Sequence, residues 1–350
     1  SAGGAKSVAE FSARWAKSRV QWGKAIGQHE AGAQKLAELT AGAYAMETLA
    51  DFGAALADHG KLDLRMEAAA GKLFNTELGW DLMDKGLQLR AGRGYEQASS
   101  LERRGEQPFP IERAMRDARI NRIVEGTTDV MHLFLAREAL DKHLKLALPI
   151  MGRGSLGDKL KGLVSASLFY ARWYPMLWLK GIFKSYHDFD DRLADHLHWV
   201  ESRTRKLARA LFHRMLTHGP KLEMRQLTLG RLVDIGCELA VMALVACRAQ
   251  TELNRGESED LDQALYWLEF GRVRVNRLFR ELRDNVDAES RALAEKLMDR
   301  AEVLPEVKIP EDLEPMPRER GEDLTSGKQT ERLYHAQKRA SGSSDELASK

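Results

Sequence analysis

Apolar residues recur at helical spacing through almost the whole chain. One long pattern runs from His29 to Ala57 with the stripe Leu36, Leu39, Ala43, Met46 and Ala50, and a second runs from Asp63 to Ala91. Later stripes of the same period are Leu197, Val200, Thr204, Leu207 and Leu211, then Leu232, Ile235, Leu239, Met242 and Ala246. No run of alternating β-branched residues competes with these patterns. The sequence therefore predicts an all-α protein.

Breaks in the helical pattern divide the chain. Pro149 and the glycines that follow it, Gly152, Gly154 and Gly157, mark a linker, and helical stripes resume after it. From about Pro305 the chain is rich in Pro, Glu, Arg, Lys and Ser, which predicts disorder. The predicted parts are a helical domain at 1–148, a linker with an aromatic segment at 149–187, a second helical domain at 188–304 and a disordered tail at 305–350.

Composition narrows the class of protein. Lys plus Arg number 54 against 52 for Asp plus Glu, a balance that gives no support for nucleic-acid binding. Cys237 and Cys247 are ten positions apart on one predicted helix, too far apart to form a disulfide, so a reducing compartment is expected. The chain begins without Met inside a helical pattern, and we expect it to be part of a longer protein.

The strongest candidate for chemistry is Glu125. It falls in a short break between two predicted helices, directly before Gly126. Thr127 or Thr128 can cap the second helix, and Asp129 lies in its first turn, where negative charge is favoured. This placement suits a side chain that must be held in one direction, although a Glu at such a junction is most often a surface or capping residue.

Residues 116–140, RDARINRIVEGTTDVMHLFLAREAL, resemble the C-terminal signature of the acyl-CoA dehydrogenases, flavoproteins that introduce a 2,3-double bond into acyl-CoA thioesters. The resemblance implies that Glu125 is the base that removes the substrate's α-proton and that Gly126 approaches the substrate. It also implies that Thr127 and Asp129 contact the cofactor FAD, which receives hydride from the β-carbon. Electron-transferring flavoprotein is then the expected electron acceptor.

Two further stretches resemble cofactor motifs of the same family. ARWAKSRVQWGKAI is similar to R-x-x-F-G-x-x-I and implies that Arg19 contacts the FAD pyrophosphate and Trp22 packs near the adenine. GLQLRAGRGYE resembles Q-x-x-G-G-x-G-(F/Y), where Ala91 replaces the first Gly and three positions match: Gln88, Gly92 and Gly94. In the family these residues serve the neighbouring subunit's cofactor, so an oligomer is implied. An exposed Arg, a core Trp and helix-ending glycines are the plain alternatives.

The segment between Tyr95 and Phe109 is longer than in the commonest family members. Its sequence, EQASSLERRGEQP, is polar and predicts a surface loop. It lies between the second cofactor motif and the stretch that contains Glu125. The loop either rims the acyl pocket or is surface decoration.

The helical region after residue 148 resembles the extension of the very-long-chain acyl-CoA dehydrogenase branch. Enzymes of that branch are homodimers, and their extension associates with a membrane surface. Leu163–Phe183, LVSASLFYARWYPMLWLKGIF, places aromatic residues beside cations, which suits a helix at a membrane interface. Arg172 and Pro175 near its middle argue against a membrane-spanning helix. A buried connector between the two bundles is the alternative.

Metal chemistry finds no support in the sequence. His196 and His198 are two positions apart and point in different directions on a helix. Asp129-x-x-His132 has no second copy of the kind that a di-iron bundle requires.

The resemblance thus implies the C-terminal part of an FAD-dependent acyl-CoA dehydrogenase that acts on long acyl chains in fatty acid β-oxidation. The fold is expected to be the family's C-terminal helical bundle followed by a second helical bundle, in the bacterial cytoplasm or the mitochondrial matrix. Family members carry most of the flavin pocket on upstream domains, so these residues alone are expected to be inactive. The alternative is a non-catalytic helical scaffold or membrane-docking module.

Overall fold

A computed structural model describes residues 1–60, 63–151, 155–179 and 185–302 of the chain. The prediction of an all-α fold is confirmed by the helices of these ranges. They are α1 Ala2–Ser18, α2 Glu30–Asp58, α3 Arg65–Arg90, α4 Gly92–Tyr95, α5 Ala98–Arg103, α6 Ile111–Ile120, α7 Thr128–Met151, α8 Leu156–Met176, α9 Asp191–His218, α10 Gln226–Asn254, α11 Leu261–Glu281 and α12 Asp287–Arg300.

One small hairpin interrupts the helices. β1 (Val20–Gln21) pairs antiparallel with β2 (Lys24–Ala25), and Trp22 and Gly23 form the two-residue turn between them. Both turn residues have positive φ, +47° and +79°, as the tightest hairpin turns require. The hydrophobic pattern did not predict these strands because two residues are too few to show alternation.

The core is built around α10. Residues 1–287 form one compact unit, in which α10 packs against α2, α7, α9 and α11. The α10 side chains Ile235, Met242 and Val245 are fully buried, and the predicted α10 stripe lies in the core along its whole length. Helices from both predicted domains therefore share one hydrophobic core, while the proposed boundaries between them stay predictions.

The predicted linker is largely helical where the structure describes it. α7 continues through Pro149, and α8 includes Gly157 in its first turn. A capping box explains the start of α8: the Asp158 N–H donates to Ser155 Oγ at 3.2 Å, and the Ser155 N–H donates to the Asp158 carboxylate at 3.2 Å. These bonds offset the cost of a helical glycine. Residues 149–151 and 156–176 of the predicted linker and aromatic segment are therefore helical, and the linker itself stays a prediction.

Residues 288–350 form a second unit. Its described part contains most of α12, an exposed helix, and residues 301 and 302. The predicted disordered tail at 305–350 lies outside the described residues.

Candidate functional site

Glu125 lies in a sharp turn between α6 and α7. Its φ is +54°, and that of Gly126 is +96°. The side chain of Glu125 is exposed. A Cβ atom at Gly126 would lie 2.7 Å from the sulfur of Met131, whose flexible side chain would have to shift, and the positive φ itself favours glycine there.

Three non-glycine residues in the described part of the chain have left-handed φ: Trp22, Ala91 and Glu125. L side chains rarely adopt this conformation because Cβ crowds the neighbouring carbonyl, and such strain persists where the surroundings enforce it. One of the three falls in each of the three motifs singled out in the sequence. Backbone strain therefore coincides with all three candidate functional stretches.

The prediction that a threonine caps α7 is confirmed. Thr127 Oγ1 accepts a hydrogen bond from the N–H of Val130 at 3.4 Å, and the helix begins at Thr128. Asp129 lies in the first turn and is exposed. The positive end of the α7 dipole thus lies immediately after Glu125 and Gly126.

Two side chains of α3 hold this turn, and the sequence analysis did not find them. Glu77 accepts hydrogen bonds from Arg122, which precedes the turn, and from Thr128, which follows it. Lys72 donates to the carbonyl oxygen of Gly126. No sequence signal marks Lys72 or Glu77, because they lie far upstream and read as ordinary polar positions of a helix.

An arginine-rich cavity of about 430 Å³ lies between α1, the end of α3 and the segment before α6. Arg19 lines it together with Arg14, Arg90 and Arg93. The structure thus brings Arg19 close to the 88–94 motif, as expected if both serve one ligand. Sequence reasoning missed the other three arginines, although all of them fall inside the quoted motifs.

Two hydrogen-bond donors at this cavity have no partner within the part of the chain that the structure describes. They are Nε of Arg90 and Nε1 of Trp15. The Arg90 guanidinium lies 4.8 Å from the ring centres of both Phe11 and Trp15, and burial lowers the pKa of Arg90. Buried donors without partners are costly, so the cavity suits an anion with several acceptor oxygens.

The glycine motif after α3 has a steric explanation at one position. A Cβ atom at Gly94 would lie 2.4 Å from the carbonyl oxygen of Leu87. Gly92 has open space around it, and Gln88 is exposed. Ala91 has φ +52°, a conformation that glycine adopts without strain, which accounts for the Gly that the family has there.

The segment between Tyr95 and Phe109 contains a helix, which corrects the prediction of a surface loop. It contains α5, whose Leu101 is fully buried. Glu106 accepts a hydrogen bond from Nε of Arg93 at 2.9 Å, and Glu106 also lines the arginine-rich cavity. The insertion therefore forms part of the wall of this cavity.

The aromatic residues of α8 point largely into the protein. Tyr170 OH lies 2.9 Å from Nδ1 of His143 on α7, and Tyr170, Trp173 and Tyr174 each contact Phe212 on α9. The exposed face is aliphatic instead and consists of Leu156, Leu160, Leu163, Val164 and Leu168. Among the helices of the described ranges, none has the length and hydrophobicity needed to cross a bilayer.

His132 connects α7 to α10. Its Nε2 lies 2.7 Å from Oδ1 of Asp234. Burial opposes the charge on His132, but the hydrogen bond and the charge of Asp234 outweigh it and raise the pKa of His132 above its ordinary value. Within the residues described, no group of three His, Cys, Asp or Glu side chains is arranged to hold a metal ion.

Residues 1–140 match the family model of the acyl-CoA dehydrogenase C-terminal domain. Over 303 residues the chain is 39% identical to the probable acyl-CoA dehydrogenase FadE10 of Mycobacterium tuberculosis, a match that covers 85% of this chain and 46% of that protein. It is 30% identical over 251 residues to the human mitochondrial very long-chain specific acyl-CoA dehydrogenase, covering 69% and 35%. The chain spans less than half the length of these relatives.

Two solved structures are similar in fold. An acyl-CoA dehydrogenase from Bacillus anthracis, crystallised in complex with FAD, gives a TM-score of 0.59 at 21% identity and covers 86% of this chain and 50% of that chain. Caenorhabditis elegans ACDH-11 in complex with C11-CoA gives 0.50 at 16% identity, covering 76% and 40%. The first match reaches well beyond residue 140, so the similarity in fold includes later helices.

Proposed function

Because residues 1–140 belong to the acyl-CoA dehydrogenase family as its C-terminal domain, we propose that this chain is the C-terminal part of a flavin-dependent enzyme that converts acyl-CoA into trans-2-enoyl-CoA in fatty acid β-oxidation. The relatives named very long-chain specific dehydrogenases favour a long acyl chain as substrate. Relatives of bacterial and mitochondrial origin favour the bacterial cytoplasm or the mitochondrial matrix.

One observation carries this proposal. The strained residues Trp22, Ala91 and Glu125 each fall in one of the three motifs that resemble the family. Strain of this kind is retained where a ligand or a reaction requires it. The hairpin turn accounts for the φ of Trp22, whereas Ala91 directly follows Arg90 of the arginine-rich cavity and Glu125 is the proposed base, and this coincidence of strain with the motifs favours an enzyme.

Glu125 is proposed as the base that takes the proton from the carbon next to the thioester carbonyl. A general base must be held within hydrogen-bond reach of that carbon's proton, and the short turn fixes the backbone that carries the carboxylate. The substrate contact proposed for Gly126 is made by its backbone, because Met131 occupies the space that a Cβ atom would take there. FAD, when bound, supplies the acceptor for the β-hydride.

The arginine-rich cavity fits the phosphates of this cofactor. Arg19 and Arg14 offer guanidinium groups, Arg93 is paired with Glu106, and the unpartnered donors of Arg90 and Trp15 suit further acceptor oxygens. We propose Thr127 and Asp129 as contacts to the cofactor from the start of α7. The backbone would approach the cofactor closely at three further positions, Gln88, Gly92 and Gly94.

A homodimer follows from the same assignment. In the family the Arg19 and 88–94 motifs serve the cofactor of the neighbouring subunit. Trp22 is 91% exposed at the tip of its hairpin, a costly position for a free Trp and a suitable one for contact with a partner's adenine. Electron-transferring flavoprotein is proposed as the acceptor that reoxidises the flavin.

The substitution Glu125→Gln tests the catalytic assignment in the full-length gene product, purified with its flavin. Flavin content should be retained, while the rate of flavin reduction by a long-chain acyl-CoA should fall roughly 10²–10⁴-fold because the base is lost. Asp117→Asn removes a carboxylate from the nearby exposed face of α6 and should change little. An unchanged reduction rate in Glu125→Gln would refute the proposal.

We also propose that α8 contacts a membrane surface. Its exposed leucines form one continuous face along the helix, including Leu160 at 63% and Leu168 at 69% exposure. Lys159, Lys161 and Arg172 flank this face, and such cations are attracted to anionic lipid. Trp173, one of the aromatic residues of the Leu163–Phe183 segment, is half-buried against Phe212 and is not part of the exposed face.

Flotation with anionic phospholipid vesicles tests this contact. Leu160→Glu combined with Leu168→Glu should abolish flotation because both charges fall within the apolar face. Ser165→Glu adds a charge at an exposed position of the same helix outside this face and should reduce binding only slightly. Equal flotation of the wild type and the Leu160, Leu168 double variant would contradict the proposal. Concentration-dependent self-association without flotation would instead assign this face to a second copy of the chain.

A further inference from the structure

We infer that Glu77 and Lys72 of α3 are positioning residues that set the direction of Glu125. The inference rests on the proposed function, since it concerns the residue proposed as the base. Neither side chain belongs to the motifs that resemble the family, and neither is expected to touch the substrate. They act through the backbone of the turn that carries Glu125.

Glu77 connects the two ends of the turn. Its Oε1 accepts a hydrogen bond from Nε of Arg122 at 2.7 Å, and Oε2 lies 2.6 Å from Nη2 of the same guanidinium. Oε1 also accepts from the hydroxyl of Thr128, the first residue of α7. One carboxylate thereby fixes the residue three before Glu125 and the residue three after it. A bidentate bond between a carboxylate and an arginine restricts direction as well as distance.

Lys72 holds the middle of the same turn. Its ammonium group donates to the carbonyl oxygen of Gly126, the residue directly after Glu125. The peptide group between residues 126 and 127 is therefore bound to α3 on its oxygen side. Glu125 has a positive φ, which strains a non-glycine residue, so this stretch would relax to a less strained conformation without external support.

The support comes from a rigid part of the molecule. α3 is anchored in the core by side chains between and beside the two positioning residues: Leu73, Phe74 and Leu78 are 2%, 6% and 6% exposed. Glu77 and Lys72 transmit this fixed position to an otherwise exposed turn. Displacement of a reacting group by about 1 Å can reduce a rate by roughly 10²-fold, so the loss of either bond should slow proton removal.

Glu77→Gln is the direct test, in the full-length gene product with flavin bound. Gln retains the size of the side chain but loses its charge, and with the amide oxygen in the place of Oε1 its N–H₂ group faces Nη2 of Arg122, which also donates. The first-order rate of flavin reduction at saturating acyl-CoA should fall about 10- to 100-fold, with flavin content and the Kd for acyl-CoA within about twofold of wild type. Glu67→Gln, at an exposed position of the same helix, is the matched control and should retain the wild-type rate.

A second pair of variants serves if Glu77→Gln does not fold. Thr128→Val removes only the hydroxyl that Glu77 accepts, whereas Thr128→Ser keeps it. The reduction rate should fall in the Val variant and remain close to wild type in the Ser variant. Lys72→Gln should resemble Thr128→Val, because each removes one of the supports.

The outcomes separate the positioning role from the proposed function. A rate in Glu77→Gln or Thr128→Val equal to that of Glu67→Gln would overturn the positioning role, as would a fall matched by equal loss of flavin or of acyl-CoA affinity. If Glu125→Gln itself reduces flavin normally, the proposed function fails first. If Glu125→Gln loses activity while the α3 variants keep theirs, only the positioning role fails.

Discussion

α8 and α10 carry apolar stripes of the same period, and their surroundings differ completely. The α10 stripe, including Ile235, Leu239 and Met242, is buried by helices on several sides. The α8 stripe, including Leu160 and Leu168, faces outward. Hydrophobic periodicity therefore identifies which face of a helix is apolar, but it does not show what covers that face.

The difference lies in the other faces of the two helices. α10 presents buried residues around most of its circumference, including the carboxylate of Glu238, which lies 3.1 Å from Arg274 on α11. α8 instead uses its aromatic residues to contact His143 and Phe212 and leaves its leucines free of those contacts. A continuous exposed apolar face such as that of α8 usually marks an interaction surface in a folded chain.

The largest predicted effect concerns the buried stripe. Ile235→Ala should lower the free energy of unfolding by about 2–5 kcal/mol, because it removes buried carbons and leaves a cavity in a close-packed core. Urea denaturation followed by circular dichroism measures this. Ile235→Val removes one methylene and should cost about 0.5–1.5 kcal/mol. A cost below 1 kcal/mol for Ile235→Ala would show that α10 is not the rigid centre that its burial indicates.

Much of the fold could be predicted from this periodicity. The long helices α2 and α3 begin and end within a few residues of the predicted positions, because Gly60 and the segment at Ala91 supply clear stop signals. The hairpin was too short to predict, and α8 begins inside the predicted linker because Ser155 and Asp158 form a capping box there. Shared packing of α10 with both halves of the chain depends on contacts between distant residues, which no local pattern contains.

The residues of the candidate site also fall into those that could be predicted from the sequence and those that could not. Glu125, Arg19 and the glycine motif were found because each lies in a short stretch with its own residue pattern. Lys72 and Glu77 act on Glu125 across about fifty positions of chain and belong to no motif. The strain at Ala91 and Trp22 also became visible only through their φ angles. Residues that hold a site in place are thus harder to recognise in a sequence than the residues of the site itself.

A smaller predicted effect concerns the polar contact that joins α10 to α7. Asp234 raises the pKa of His132 in the folded state. The contact between the two side chains therefore stabilises the fold fully below the pKa that His132 has in the unfolded state, and this stabilisation is lost as pH rises through the pKa of the folded state. His132→Gln should therefore lower the free energy of unfolding by about 1 kcal/mol near pH 6 and by less near pH 9. Denaturation at both pH values measures the difference.

Asp234→Asn serves as the control for this contact. It should produce the same dependence on pH, and the double variant should be no less stable than the worse single variant, because both remove one interaction. Equal losses at pH 6 and pH 9 for His132→Gln would contradict an interaction that depends on protonation of His132 and would leave only packing to explain its burial.

The smallest predicted effect concerns the exposed stripe of α8, and it completes the comparison. Leu160→Ala and Leu168→Ala remove apolar carbons as Ile235→Ala does, yet each should change the free energy of unfolding by less than about 0.5 kcal/mol, because these side chains are 63% and 69% exposed. The same urea titration measures all three variants. A loss of 2 kcal/mol or more in either α8 variant would mean that the leucines are covered in the folded protein, as an interface between copies would cover them. A dilution series of that variant would then show what covers the leucines. Its stability should decrease on dilution only if copies of the chain associate.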